Sequence, residues 1–134
     1  MEAFALDQRL AADSLPLAEL ALCRLRLMND SRFPWLLLVP QRPACVEVLD
    51  LATPDQELLW AEIRQVAAAL QAVTAADKLN IAALGNQVAQ LHVHLIARFR
   101  DDAAWPGPVW GVGQAEPYPD NGQALIERLR AALP

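Results

Sequence analysis

The stretch EAFALDQRLAAD spaces Phe4, Leu6 and Leu10 along one side of a helical period and predicts a short helix over 2–13. The stretch AELALCRLRLMN then alternates. Leu20, Leu22, Arg24 and Arg26 fall on one face and Ala21, Cys23, Leu25 and Leu27 on the other, so 18–29 reads as a strand. DSRFP is a turn, and WLLLVP is a short buried strand closed by Pro40. A long helix opens at Thr53, with Pro54 at its first position and Gln56 completing a capping box. Leu58, Leu59, Ile63, Val66, Leu70 and Val73 keep helical spacing to about Ala75. KLNIAAL (78–84) is a strand, GN a turn, and QVAQLHVHLIARF (87–99) a second strand.

The segment 101–120, rich in Pro and Gly, has no period and is expected to be a long loop. GQALIERLRAAL (122–133) closes the chain as a helix within 121–133, with Leu125, Leu129 and Leu133 on one face. The pattern describes one domain over 1–134 with its core in 15–100 and no internal repeat. Short turns between neighbouring strands favour antiparallel pairing, with helices laid on the sheet, which is an α+β fold.

Composition supports one domain, since 134 residues at 54% hydrophobic can build a proper core. The net charge of -5 excludes a general nucleic-acid binder, because no basic stripe is present to neutralise a phosphate backbone. Nearly all the positive charge is arginine, with Lys78 the sole lysine; the bias suits phosphate recognition by guanidinium forks, but beside the many alanines it is better explained by a general composition bias. No apolar run reaches membrane-spanning length. The start MEAFALDQRL has an acidic residue at once and does not resemble a signal peptide, so a cytoplasmic protein with Cys23 and Cys45 as free thiols is expected.

The chain has only two histidines, and QLHVHLI places them two residues apart. On a strand, Gln90, His92, His94 and Ile96 share one face, with the two imidazoles roughly 6–7 Å apart at the base. That spacing suits action on one phosphate or one metal ion. A histidine in an apolar strand is also often a satisfied core residue. A metal would need a third ligand from Cys23, Cys45 or a distant carboxylate, none of which is marked by spacing.

Gln90-Leu91-His92-Val93-His94-Leu95-Ile96, followed by Ala97 and Arg98, resembles the signature of the histidine triad (HIT) superfamily, in which three histidines alternate with apolar residues. The likeness extends from about Cys23 to Arg98. LRLMNDSRFPWLLLVPQR resembles the family's paired strands, the helix after LDLATPDQ stands in the right place, and LNIAALGNQV resembles the strand and phosphate-facing turn before the triad. The resemblance implies a five-stranded antiparallel sheet with helices packed on it, extended across a homodimer.

It also implies a nucleotide or nucleotide conjugate as the partner, with reaction at an α-phosphorus. The substrate classes are dinucleoside polyphosphates and nucleoside phosphoramidates. His92 matches the nucleophile, giving a nucleotidyl-histidine intermediate, and its other ring nitrogen is expected to donate to a backbone carbonyl. His94 matches the third position, a donor to a non-bridging oxygen. Gln90 stands at the first position, where it can hydrogen-bond a phosphate or leaving group but cannot titrate near neutral pH. Asn86 and Gln87 stand in the phosphate-facing turn, where the family's hydroxyl is missing, and the segment from Asn80 to Gly85 is short.

Asn29 matches a residue placed near the ribose, though a turn-forming Asn accounts for it equally well. Trp105, with Trp110 and Tyr118, offers a face for stacking on a base, or plugs the surface. Arg98, with Arg100, offers positive potential, or a solvated strand end. No metal is needed to activate the nucleophile; magnesium enters only as the companion of a polyphosphate substrate. The alternative reading is a nucleotide-binding dimer with little catalysis, followed by a metal-binding protein using His92 and His94.

Overall fold

Three helices and five strands follow one another in a computed structural model that describes residues 3–134. In chain order they are α1 (Gln8–Asp13), β1 (Ser14–Glu19), β2 (Cys23–Met28), β3 (Trp35–Pro40), α2 (Thr53–Thr74), β4 (Lys78–Ala82), β5 (Val93–Arg98) and α3 (Gln123–Ala132). The strands form one sheet in the order β1-β2-β3-β5-β4, every neighbouring pair antiparallel. This is the expected α+β architecture. Among the described residues no helix is long and apolar enough to cross a membrane.

The sheet is covered on both faces. On one, Leu25, Leu27, Leu36, Leu38, Val93 and Leu95 pack against Leu59, Ile63, Val66 and Leu70 of α2 and Ile126 and Leu129 of α3. On the other, Trp35, Leu37, Val39 and Ile96 meet Phe33, Leu10 and Val109, with Phe4 and Leu6 packed against them. Burial on both sides explains why β3 and β5 are buried at every position instead of alternating.

Several boundaries and caps differ from the sequence pattern. The single strand expected over 18–29 is a hairpin, β1 and β2. Its turn is closed by Leu20 N–H donating to the Cys23 carbonyl, and the buried Glu62 carboxylate of α2 accepts from the Leu22 and Cys23 amides at 2.8 and 2.9 Å. Pro16 is tolerated because β1 is an edge strand whose register shifts between Pro16 and Ala18. The N-terminal helix is shorter than expected. Glu2 lies outside the described residues, and Asp7 caps the helix by accepting from Arg9 N–H, so helical backbone begins only at Gln8.

At α2 the N-cap is Ala52, not Thr53, and Gln56 donates to the Leu51 carbonyl, so the expected capping box is absent. The histidine strand begins at Val93 instead of residue 87. The pairing of β4 with β5 reaches only from Ala82 to His94, and the residues before it bond elsewhere, Leu91 N–H to the Cys45 carbonyl.

Candidate active site

The register sets the surroundings of His94. It lies opposite Leu37 of β3 and Ala82 of β4, while Trp35 lies opposite Ile96 and is therefore its diagonal neighbour on the same face. The Trp35 indole N–H donates to His94 Nδ1 at 3.0 Å. An indole nitrogen can only donate, so Nδ1 accepts and the hydrogen of the neutral ring sits on Nε2. Trp110 from the long loop stands edge-on to the same ring with centroids 4.9 Å apart, and 5.7 Å from Trp35. Burial, and then the neighbouring His92, push the His94 pKa down to about 4.

His92 has the opposite tautomer. Its Nδ1 lies 2.7 Å from the Gln90 carbonyl oxygen. A carbonyl can only accept, so Nδ1 carries the hydrogen and Nε2 keeps its lone pair. The two rings meet edge to face at 4.9 Å, and both residues are buried, at 6% and 4% exposure. The site thus pairs one imidazole with a free lone pair at Nε2 and one with a hydrogen at Nε2. A shallow cleft beside His92 is lined by Val46, Glu47, Ala83, Leu84, Gly85 and Leu91. A roomier groove at the β1 bulge, among Arg24, Arg26 and Arg130, shares no lining residue with it and holds neither histidine.

A HIT domain model matches residues 9–101. The chain belongs to the HIT family. Family membership carries nucleotide binding and hydrolase or transferase chemistry at the general level. A histidine triad protein of Sinorhizobium meliloti 1021 is 52% identical, with 97% of each chain covered and a TM-score of 0.95. One from Bradyrhizobium japonicum is 47% identical over 98% of this chain and 99% of its own, TM-score 0.96. One from Marinobacter aquaeolei VT8 is 41% identical over 98% and 97%, TM-score 0.95. Among curated protein sequences no match is found.

The other sequence candidates divide sharply. Gln90 precedes the two histidines of the HIT motif, but its side chain is engaged with the N-terminal segment. Its Oε1 accepts from Asp7 N–H and its Nε2 donates to the Ala5 carbonyl, both at 2.8 Å. That corrects the expectation of a group free to grip phosphate or leaving group. Asn86 and Gln87 are exposed on the connection after Gly85, and the Gln87 carbonyl accepts from Arg9. Asn29 Oδ1 accepts from Tyr118 N–H and fastens the long loop to the end of β2.

Arg98 is neither a solvated strand end nor a free anion site. It is 2% exposed, pairs with both oxygens of Asp102, and donates to Asn80 and the Gly107 carbonyl. Trp105 lies against this guanidinium at 5.7 Å, so its ring serves the Arg98 cluster. The aromatic that reaches the histidines is Trp110, anchored indirectly by Asp30 and Arg32 bonding to the backbone of Glu116 and Val112. Trp35 is the residue that sequence reasoning missed. Only the register of β3 against β5 would have found it.

Among the described residues no group of three His, Cys, Asp or Glu is placed to hold a metal ion.

Proposed function

We propose that this HIT protein is a nucleotide-binding hydrolase or transferase that acts at an α-phosphorus through His92. The observation that carries this reading is the Nδ1–H bond to the Gln90 carbonyl, which leaves the Nε2 lone pair free for attack. His92 Nε2 bonds to phosphorus, the bond to the leaving group breaks, and its electron pair departs with that group. Water or another acceptor then displaces the imidazole and releases the nucleotide. His94 donates from Nε2 to a non-bridging oxygen and offsets the charge that develops there. Dinucleoside polyphosphates and nucleoside phosphoramidates are the substrate classes, magnesium accompanying the former.

A homodimer fits the same reading. β4 is, like β1, an edge strand of the sheet, with one ladder side free for pairing among the described residues. Among the described residues the exposed large apolar side chains are Ile81 on that strand, Leu84 just after it, Trp60 on α2, and Val46 and Leu49 before α2. Such a set suits an interface better than solvent.

A second reading, a nucleotide-binding dimer with little catalysis, is favoured by Gln90, whose amide is engaged and cannot titrate. Steady-state release of a nucleoside monophosphate separates the two. Turnover in the parent chain that is lost in His92→Asn, with an unchanged melting temperature, supports the enzyme. Nucleotide binding without turnover supports the binding protein.

A further inference from the structure

We propose that Trp35 is a positioning residue that holds His94 in its Nε2–H form, and that the site so built takes substrates whose leaving group departs as an anion. The inference rests on the α-phosphorus reading and narrows its substrate class to phosphoanhydrides.

The hydrogen bond from Trp35 occupies the only lone pair on neutral His94. A second proton would have to enter at Nδ1, where it would face the indole hydrogen. Both donors would then be buried and unsatisfied, with a cation beside them. Among the described residues that meet His94 none is a carboxylate. His94 is met by Trp35 and Leu37 from β3, Ala82 from β4, Trp110 from the loop and His92 on its own segment, and of these only His92 has an ionisable side chain. Arg98 lies further along the same face and is paired with Asp102. His94 is therefore a neutral donor across the working pH range, not an acid.

The other triad position supplies no proton either, because Gln90 has none to give and its amide is bonded to Asp7 and Ala5. With an anhydride the balance closes without one. The Nε2–P bond forms, the P–O bond breaks, and a nucleoside phosphate leaves with the electron pair as an anion. A phosphoramidate must release an amine, which needs a proton at nitrogen. General acid catalysis is typically worth roughly 10²–10⁴-fold, so the two classes separate by at least about 10²-fold in kcat/KM. Tautomer matters on a similar scale, since a wrong tautomer in a serine protease triad costs about 10⁴-fold.

The chain has two histidines, so long-range proton–nitrogen NMR of the labelled full-length protein resolves four ring nitrogens. The expected result is His94 protonated at Nε2 and His92 at Nδ1, with His94 unchanged between about pH 5.5 and 8, where an ordinary imidazole titrates. In Trp35→Phe, His94 should begin to titrate in that range and kcat should fall tenfold or more, with KM much less affected. Trp110→Phe, which shrinks a neighbouring ring and removes no hydrogen bond to His94, should keep the tautomer. A parent His94 that carries its hydrogen on Nδ1, or titrates near neutral pH, overturns the inference even if Trp35→Phe does not fold.

Comparable kcat/KM for diadenosine triphosphate and an adenosine phosphoramidate overturns the substrate class. Turnover of neither overturns the α-phosphorus reading and the substrate class with it, while the NMR result still judges the tautomer.

Discussion

Replacing Gln90 by Ala removes both hydrogen bonds that tie the N-terminal segment to the residues just before the histidine strand, one to Asp7 N–H and one to the Ala5 carbonyl. Each is worth about 0.5–1.5 kcal/mol net, and partial exposure puts these at the lower end, so about 1–2 kcal/mol is expected in total. For a domain of this size that corresponds to a fall of roughly 3–8 °C in Tm. The loss should be local first. Phe4 and Leu6 pack on the sheet face that carries Trp35, Leu37 and Ile96, and depend on this tether to stay there.

Hydrogen exchange at the Asp7 amide should quicken by about tenfold or more, 1.4 kcal/mol per decade, while amides in β3 and β5 keep their protection. The KM for nucleotide should change little. A variant with unaltered Asp7 exchange and Tm, but a KM raised tenfold, would refute the tether and return Gln90 to the substrate.

Acid should weaken the fold through His94. Its folded pKa lies near 4 and the ordinary value is 6.5, so between those pH values the unfolded chain binds more protons and stability falls as pH drops. The share is roughly 3 kcal/mol at the foot of the window, and urea midpoints in His94→Gln should lose that part of the pH dependence. If the pair serves nucleotide chemistry, purified protein should hold no stoichiometric zinc and a strong chelator should leave Tm unchanged; one tightly held zinc per chain would put the metal reading first. Asp102→Ala leaves the Arg98 guanidinium buried without its counter-charge and should cost about 3–5 kcal/mol, read by chemical denaturation. Ile81→Asp on the outer strand should turn a dimer into a monomer by light scattering, and a parent chain that is monomeric at micromolar concentration would contradict the interface.

Periodicity made the long helix, the buried β3 and the shared face of His92 and His94 legible, because each is a local pattern that its own segment carries. What stayed hidden depends on partners distant in sequence. β1 was lost because Pro16 argues against a strand until the edge position and the bulge are known. The hairpin turn at 20–22 has no Gly or Pro to mark it, and its amides are satisfied instead by Glu62, some forty residues away.

Arg98 looked free because its acid, Asp102, stands in a loop beyond the strand end. Gln90 looked like a site residue because its bonding partners are the backbone of Ala5 and Asp7, which no side-chain pattern announces. Trp35 is a hydrophobic strand residue in the sequence, and only the pairing of β3 with β5 turns it toward His94.

The central claim is that His92 Nε2 attacks an α-phosphorus. Incubating the protein with an α-labelled dinucleoside polyphosphate, quenching in alkali and locating the label by peptide mass spectrometry tests it directly. One nucleotidyl group on His92, absent in His92→Asn, is the predicted result. Label on His94, or full turnover in His92→Asn with no adduct, would contradict it.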